Sequence, residues 1–336
     1  MDDIDAPPLD SSLAPLLLFD CGRGGADDDE EAIHDDSELL IYSIPKGRLL
    51  VPRAPELDYI IDNANWITPQ GWVLTLDPAT RDASLRDPFT SRRVLLPSDR
   101  DNLLVSSKAT RCLLSTQHPT DDESCVVLVI YRTDPVLCYC RPGGSRWIRH
   151  EYRPELLVVD DPFGREKIIK AMAKLTAAGD AFYTFWDDKL ATLRFSPEPT
   201  LSASHVEDEP QRTNCYLLTR SRLVESCGEM FRVQFSYTKL CDRRILRVEV
   251  HKLHRSTSTW VKVTDLDNRV FFVSSGQYGA SMAADELGLK PNCVYFSKPD
   301  DKGLYIYDIE QGTTSLRNPS PNVPDSMQPI LLMPVT

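Results

Sequence analysis

The chain has 336 residues, 41% of them hydrophobic, and a formal net charge of −12 at pH 7. Residues 1–38 contain thirteen acidic residues and one basic residue, so residues 39–336 contain 37 of each sign and are neutral overall. Because residues 39–336 have no net positive charge, they would not attract the phosphates of nucleic acid or of an anionic membrane. The sequence therefore disfavours both as partners.

Nine cysteines, an odd number with no Cys-x-x-Cys pair, lie mostly in apolar segments. This usage is typical of buried free thiols in a reducing compartment. No hydrophobic run approaches the roughly 20 residues of a membrane span. The acidic N-terminus also differs from a basic leader sequence. We therefore expect a cytoplasmic or nuclear protein, or one found in both compartments.

The chain begins with a polar segment, residues 1–14, which we expect to be a mobile tail. An acidic run at residues 21–38 predicts a solvated, flexible loop inserted into the fold. A weak cation site and a docking arm are the alternatives for this run. Its glycine and glutamate spacing excludes an EF-hand loop.

The stretch Gly71–Pro97 is the unit that the rest of the chain repeats. Its residues alternate between apolar and polar, as in a strand, up to a turn at Asp77–Thr80. A second strand, a corner at Asp87–Thr90 and a third strand follow. This order of strand, turn, strand, corner and strand predicts a meandering antiparallel sheet.

Short strands of the same kind are predicted along the whole chain. They lie at Leu16–Phe19, Leu39–Ile44, Arg48–Val51, around Trp66, Lys108–Ser115, Cys125–Tyr131, Val136–Cys140, Ala181–Trp186, Leu190–Phe195, Asn214–Leu218, Leu223–Ser226, Met230–Tyr237, Ile245–Leu253, Thr259–Val263, Val270–Val273, Cys293–Phe296, Gly303–Asp308, Thr313–Leu316 and Ile330–Val335.

One helix is predicted to interrupt the strands at Arg165–Ala178. Ile168, Met172 and Leu175 recur there at i, i+4 and i+7, and Gly179 stands where a C-cap belongs. A short helical turn is also predicted near Met282–Leu287.

About two dozen short strands fit an all-β fold, a β-propeller of six or seven mostly four-stranded blades with one short inserted helix. The first and last apolar strands, Leu16–Phe19 and Ile330–Val335, are predicted to pair and close the ring. We assign residues 15–336 to this single domain. A pair of β-sandwiches is the alternative architecture.

Several motifs resemble those of the plant KIB-type propeller family, also known as an F-box-associated domain of unknown function. They are Gly71–Leu74 with Asp77-Pro78 and Asp87–Thr90, Cys138–Gly143, Leu223–Glu229, Trp260–Val263 with Asp267–Phe272, and Leu289–Phe296 with Tyr307–Glu310. The similarity covers roughly residues 15–335, and the motifs occur in the family's order and spacing.

The resemblance implies a propeller that, in several family members, sits behind an F-box and selects substrates for an SCF-type ubiquitin ligase. In some members the partner is a protein kinase of hormone signalling. Only about a dozen residues precede the first predicted strand, too few for a helical F-box. We therefore expect a monomeric, free-standing binding module whose protein partner is a signalling kinase or a ubiquitin-ligase component.

The sequence contains no Gly-x-Ser-x-Gly, His-Glu-x-x-His, Walker or Gly-x-Gly-x-x-Gly motif. His251 and His254, with Cys241 upstream, would fall on opposite faces of a strand, so a metal site is not expected. Cys138 and Cys140 are interpreted as buried structural thiols rather than redox or metal ligands. We predict no catalytic, cofactor-binding or metal-binding residues, and no cofactor.

The carboxylate pairs Asp187-Asp188 and Asp300-Asp301 are interpreted as turn formers. Five tryptophans are interpreted mainly as core between blades, with one or two of them as alternative binding hot spots: Trp66, Trp72, Trp147, Trp186 and Trp260. Two rival functions remain at this point. A hydrolase or carbohydrate-binding propeller predicts carboxylates or aromatic rings clustered in the central channel, and a decayed paralogue predicts a fold without a partner.

Overall fold

A computed structural model describes residues 8–20, 39–50, 64–104, 109–120, 124–131, 135–152, 158–160, 166–168, 174–186, 188–208, 217–238, 241–274 and 279–335. Six sheets of four or five strands form the blades of a β-propeller, and a seventh sheet has two strands. The predicted propeller is confirmed, and it has six blades.

The strands of each blade follow one another from the innermost outwards. Blade 1 contains β28 (Ile330–Leu332), β1 (Leu16–Asp20), β2 (Leu39–Ser43) and β3 (Arg48–Leu50), and blade 2 contains β4 (Ala64–Ile67), β5 (Val73–Leu76), β6 (Ala83–Arg86) and β7 (Arg93–Leu95). Blade 3 contains β8 (Ala109–Leu114), β9 (Val127–Tyr131), β10 (Val136–Cys140) and β11 (Ile148–Glu151), and the two-stranded sheet contains β12 (Val158–Asp160) and β13 (Glu166–Ile168).

The remaining three blades follow in chain order. Blade 4 contains β14 (Thr176–Ala178), β15 (Ala181–Trp186), β16 (Lys189–Phe195) and β17 (Pro199–His205). Blade 5 contains β19 (Leu217–Ser226), β20 (Glu229–Thr238), β21 (Cys241–His254), β22 (Thr259–Val263) and β18 (Glu207–Asp208). Blade 6 contains β24 (Gly279–Ala283), β23 (Arg269–Val273), β25 (Cys293–Phe296), β26 (Leu304–Asp308) and β27 (Thr313–Arg317).

Aspartate side chains shape the two turns predicted in blade 2. The Asp77 carboxylate accepts hydrogen bonds from the backbone N–H groups of Ala79 at 2.7 Å and Thr80 at 3.0 Å. The Asp87 carboxylate accepts one from the N–H of Phe89 at 2.9 Å. Aspartate followed by proline favours this geometry because proline presets φ while the carboxylate satisfies the turn's amides. Both predicted turns are confirmed.

The ring closes where the sequence predicts. β1 pairs antiparallel with β28, with Leu16 opposite Leu332 and Leu18 opposite Ile330. The last strand of the chain thus completes the first blade, which ties the two ends of the propeller together.

The innermost strands define the two ends of the propeller. β4 lies against β8, β8 against β14, β14 against β19, and β19 against β24. We call the end at which these inner strands begin the loop end; β1 and β3 also end there. Tight turns such as the one between β14 and β15 lie at the opposite end.

Three of the five tryptophans are buried between blades, as predicted. Trp72 donates its Nε1–H to the carbonyl of Gln117 at 2.9 Å, and Trp147 donates to the carbonyl of Pro97 at 2.8 Å. Trp260 packs with its ring edge-on to Phe185 of the neighbouring blade. Each ring joins one blade to the next. Trp66 packs, partly buried, against one of the cores, and the side chain of Trp186 lies outside the described residues.

The helix predicted at Arg165–Ala178 is wrong. The described part of this stretch contains the strands β13 and β14 instead. β14 pairs with β15 through Ala178 and Ala181, and Gly179, at φ +59°, lies in the two-residue connection between them. A glycine with positive φ suits a tight hairpin as well as a helix C-cap, so the pattern was ambiguous.

The predicted helical turn near Met282–Leu287 is confirmed as α1 (Ala284–Leu287), which ends at Gly288 with φ +62°. None of the helices in the described part of the chain has the length and apolar character needed to cross a membrane.

The domain boundaries stay predictions. Residues 1–7 and the acidic run 21–38 lie outside the described residues. Within the predicted tail, Ser11–Leu13 form one 3₁₀ turn, and the N–H of Leu9 donates to the carbonyl of Pro88 at 2.9 Å.

Candidate functional site

The two histidines considered for a metal site lie in different environments. His251 is buried in β21, whereas His254 is exposed at its end, where Nδ1 lies 2.9 Å from the hydroxyl of Thr257. Over the described ranges, no group of three or more His, Cys, Asp or Glu side chains is placed to hold a metal ion. The two histidines therefore do not form a shared site.

Cys138 and Cys140 lie in the core between blades 2 and 3, which confirms their interpretation as buried thiols. Burial raises the pKa of both thiols, and the proximity of Cys112 raises the pKa of Cys140 further. Because the thiolate is the reactive form, this environment suppresses nucleophilic chemistry at both positions.

Cys227, at the turn between β19 and β20, is an exposed free thiol. We expect iodoacetamide to alkylate Cys227 in the folded protein faster than Cys138 and Cys140, by on the order of a hundredfold. Peptide mass spectrometry of native and urea-unfolded samples measures the three rates. Equal rates in the native sample would contradict the buried placement of the core thiols.

The carboxylate pairs behave as turn residues where the structure describes them. The carboxylate of Asp188 lies 3.1 Å from the Nδ1 of His205, with both side chains well exposed. Asp300 adopts φ +51°. The Asp301 carboxylate accepts a hydrogen bond from the N–H of Gly303 in the same loop. Asp187 lies outside the described residues.

A small cavity lies on the propeller axis, and residues of all six blades or the segments that follow their inner strands line it. The lining residues are Pro69, Gln70, Gln117, Thr176, Ala177, Glu225, Gly279, Ala280, Ser281, Met282, Met333 and Pro334. Its volume is about 50 Å³. A cavity of this size holds one or two water molecules, which occupy about 30 Å³ each in the liquid.

A larger depression opens at the loop end between strands of blades 5 and 6, with a cavity volume of about 420 Å³. This volume falls in the ~300–1,000 Å³ range of ligand pockets. It is lined by Arg220, Tyr237, Lys298–Gly303, Leu316, Asn318 and Asp325. We call this feature the loop-end groove.

Asp301 holds the loop between β25 and β26 in shape. One carboxylate oxygen accepts a hydrogen bond from the N–H of Gly303 at 2.8 Å, and the other accepts one from the hydroxyl of Tyr305 at 2.6 Å. The Nζ of Lys298 lies 3.5 Å from the same carboxylate and 3.9 Å from the centroid of the Tyr305 ring. Burial and the bond to Asp301 raise the pKa of Tyr305. The Asp301 carboxylate is thus engaged in fixing the loop.

Lys302 provides a second anchor. Its Nζ donates to the carbonyl of Val323 at 2.5 Å and lies 2.9 Å from the carboxylate of Asp325. The Lys302 side chain is 8% exposed, whereas that of Asp325 is 96% exposed. This lysine therefore ties the loop to the segment that leads into β28. On the rim, Leu316 presents an apolar side chain that is 57% exposed.

Arg220, which lines the loop-end groove, belongs to a cluster of three half-buried cations with Arg222 and Lys174, which do not line the groove. Arg220 and Arg222 are alternate residues of β19, so their side chains project to the same side of the strand. Lys174 precedes β14, the neighbouring inner strand. Burial lowers the pKa of Lys174, and the charges of Arg222 and Arg220 lower it further.

Tyr237 lies beside this cluster. The guanidinium carbon of Arg220 is 5.3 Å from the centroid of the Tyr237 ring, a cation–π contact. Nη1 of Arg222 donates to the carbonyl of Ser221 at 2.9 Å. Burial lowers the pKa of Arg222, with Tyr237 acting in the opposite direction. The ring and the backbone carbonyl thus help to fix the orientation of the two guanidinium groups.

Sequence reasoning missed this groove. The lining residues come from segments up to about a hundred positions apart, from Arg220 to Asp325. Of these residues, only Asp300 and Asp301 attract attention in the sequence, and there as turn formers. The local sequence pattern that indicates a charged surface is the pair Arg220 and Arg222, which are separated by one residue in β19.

A family model described as "KIB1-4 beta-propeller" matches residues 41–311. Among curated proteins, the chain is 29% identical over 190 residues to "Putative F-box protein At5g55150" of Arabidopsis thaliana, a match that covers 54% of this chain and 47% of that protein. It is 27% identical over 101 residues to "Putative F-box protein At3g25750" of the same plant, over 29% of this chain and 28% of that protein. The chain thus spans about half or less of the length of these curated relatives.

Among solved structures, the periplasmic gluconolactonase PpgL of Pseudomonas aeruginosa is similar over 95% of this chain and 99% of that chain, with a TM-score of 0.37 and 10% sequence identity. A likeness at this level carries no argument about function.

Proposed function

Since the chain belongs to the KIB1-4 beta-propeller family, we propose that it is a non-enzymatic protein-interaction module that binds its partner in the loop-end groove. The observation that carries this proposal is the groove of about 420 Å³, which the Asp301 and Lys302 anchors hold open on a closed ring of blades. A preformed site lowers the entropy that binding must remove.

The composition of the groove supports a protein partner. Tyrosine and arginine are enriched at the energetic centres of protein interfaces, and the groove has Tyr237 and Arg220 in contact on one wall. Leu316 adds an exposed apolar side chain on the rim, next to charged residues. An apolar contact surrounded by polar groups is the usual anatomy of a protein interface.

The lining of the axial cavity disfavours the rival hydrolase or carbohydrate-binding function. That rival predicts clustered carboxylates or aromatic rings on the axis. The described lining residues include one carboxylate, Glu225, and no aromatic ring. The Glu225 Oε1 accepts a hydrogen bond from the N–H of Gly228 at 2.7 Å, so this carboxylate stabilises a turn.

We propose further that the partner is a signalling kinase or a component or substrate of a ubiquitin ligase, bound by one copy of this chain. The description of two curated relatives as F-box proteins supports the ligase setting. The free cysteines of the described residues fit a reducing compartment, which supports the cytoplasm, the nucleus or both as the location. Light scattering of the purified chain tests the monomer, and imaging of a fluorescent fusion tests the location.

Substitution of the groove's apolar rim tests the proposed interaction. We expect Leu316→Lys to weaken partner binding about tenfold or more, because a buried leucine contact contributes roughly 1.5–3 kcal/mol. The measurement is affinity capture of the tagged full chain from Arabidopsis extract, with quantitative mass spectrometry. Leu95→Lys is the matched control, since Leu95 is 68% exposed on β7 of blade 2 and does not line the groove.

Proteins captured by the wild type and by Leu95→Lys, but reduced with Leu316→Lys, would support the groove as the binding site. Capture of a Skp1-type adaptor among them would support the ligase setting. Equal capture by all three chains would overturn the groove as the site. If none of the chains captures a protein, the interaction function itself fails.

A further inference from the structure

Blade 6 ends in an open strand edge. β27 is the outermost strand of this blade, and across the described ranges no further strand pairs with it. All five of its residues, Thr313–Arg317, are exposed. An edge of this kind presents unpaired N–H and C=O groups to any extended chain that comes alongside.

The direction of the backbone groups of β27 follows from one hydrogen bond beside the hairpin. The N–H of Ile309, the residue after β26, donates to the carbonyl of Asn292, the residue before β25, at 3.0 Å. Successive N–H groups of a strand point to opposite sides, so Asp308 directs its N–H to β27, where it is opposite Thr313. Thr313 and every second residue after it are therefore the ones that bond to β26.

Thr314 and Leu316 are the residues in between, so their N–H and C=O groups point away from β26. In the part of the chain that the structure describes, none of these groups has a hydrogen-bond partner within the protein. β27 thus offers alternating donors and acceptors along its outer side.

Most of the other blade edges are better protected against pairing. β3 and β7 have three residues each, β11 carries the ion pair of Arg149 with Glu151, and blade 5 ends in the two-residue β18. Short strands and charged side chains discourage a further strand. β17 of blade 4 is long and largely exposed as well, but it does not line the loop-end groove. β27 combines an open edge with a place at the groove, because Leu316 belongs to both.

We propose that the protein partner adds an extended segment to β27, as a sixth strand of blade 6. This inference rests on the proposed function and specifies how the partner is held. In strand addition, main-chain hydrogen bonds supply affinity and side chains at alternate positions supply specificity. The main-chain bonds are made here to Thr314 and Leu316.

The neighbouring surface sets the chemistry of the added segment. The side chains of Thr314 and Leu316 lie on the same face as their cross-strand partners Tyr307 and Tyr305, which pack against the core shared by blades 5 and 6. Leu316 is largely exposed on this face. An apolar side chain of the added strand, placed opposite Leu316, covers it. We therefore expect a segment with apolar residues at alternate positions.

The test selects random linear peptides, displayed on phage, that bind the immobilised full chain. Selected peptides are synthesised with one N-methyl group moved along the backbone, and their affinities are measured for the wild type, Thr314→Pro and Ala203→Pro. Proline at position 314 removes an outward N–H and leaves the ladder to β26 intact, which edge strands tolerate. Ala203 is the matched position on β17. The N–H of Val206 donates to the carbonyl of Asp188 at 2.7 Å, so the N–H of Ala203, three residues earlier, points outward.

We expect N-methylation at every second peptide residue to weaken binding about tenfold, since each methyl group removes a main-chain hydrogen bond. Thr314→Pro is expected to weaken binding by about the same factor, and Ala203→Pro to leave it unchanged. Residue-resolved hydrogen exchange of the wild type is a second measurement that does not depend on how the variants fold. The peptide is expected to slow exchange at the amides of Thr314 and Leu316, and not at that of Ala203.

N-methylation effects without a period of two, or unchanged binding to Thr314→Pro, would overturn strand addition. So would a selection that yields no peptide. A dimer of the chain that Thr314→Pro abolishes would overturn it too, because a second copy would then occupy the edge. Peptides that Leu316→Lys releases but Thr314→Pro still binds would overturn strand addition and leave the groove as the binding site.

Discussion

Replacing Trp260 with alanine is expected to lower the free energy of unfolding by about 4 kcal/mol, within the ~3–5 kcal/mol range for large aromatic deletions from a core. The Trp260 side chain is fully buried, with a relative exposure of 0%. Its ring lies 5.5 Å from that of Phe185, edge-on, across the junction between blades 5 and 4. The substitution therefore removes a large contact at the joint between two blades.

A buried arginine increases this effect. The guanidinium carbon of Arg232 lies 4.9 Å from the centroid of the Trp260 ring and 4.9 Å from that of Phe185. Arg232 is 1% exposed, and both rings contact its guanidinium group. Loss of one ring leaves a cavity beside a buried cation, which is costly in a medium of low polarity.

The measurement is urea unfolding followed by circular dichroism, with Val261→Ala as the control. Val261 is the next residue of β22 and has an exposed side chain. We expect this control to change the free energy of unfolding by less than about 0.5 kcal/mol, as is usual for surface substitutions. If Trp260→Ala lowers the free energy of unfolding by less than about 1.5 kcal/mol, the role of Trp260 in joining the blades is contradicted.

Replacing Gly71 with alanine is expected to lower the free energy of unfolding by about 3 kcal/mol or more, because two costs combine. Gly71 has φ +90°, a conformation that side chains disfavour. A Cβ atom at this position would lie 2.6 Å from the carbonyl oxygen of Met333 and 2.8 Å from backbone atoms of Pro334 and Val335. The segment that crosses Gly71 follows β28, the strand that closes the ring.

Gly143→Ala separates the two costs. Gly143 also has a positive φ, +73°, but a Cβ atom there would meet no atom within 4 Å. We expect this control to cost roughly 1–2 kcal/mol, the penalty of the backbone conformation alone. The free energy of unfolding is measured in urea for both variants. An equal decrease for Gly71→Ala and Gly143→Ala would show that the close approach of Gly71 to the C-terminal segment does not affect stability.

The parts of the fold that local chemistry dictates were predictable. The Asp-Pro turns at Asp77 and Asp87 follow from side-chain hydrogen bonds that span two or three residues. The pairing of β1 with β28 follows from two apolar strands at opposite ends of the chain, which are exposed edges until they pair.

The region before blade 4 was not predictable from periodicity. Ile168, Met172 and Leu175 have the spacing of a helix, yet β14 occupies the inner position of blade 4. Pairing with β15 and contact with β19, where the Thr176 hydroxyl donates to the carbonyl of Leu223 at 3.2 Å, override the local preference.

The loop-end groove could not be predicted from the sequence, for a different reason. Arg220, Lys298 and Leu316 are each ordinary surface residues in the sequence, and only the arrangement of blades 5 and 6 brings them together. The same holds for Lys174 and Arg222, which approach each other because β14 and β19 are adjacent inner strands. Properties that depend on the packing of distant strands require the structure.

Hydrogen–deuterium exchange of the full chain tests most directly whether the partner binds in the loop-end groove. The exchange of the chain alone is compared with that of the complex captured by the wild type. We expect slower exchange in the complex at Lys298–Gly303 and at Leu316–Asn318, with the turn at Asp87–Thr90 unchanged. Slower exchange at that turn, with the two groove segments unaffected, would contradict binding in the groove.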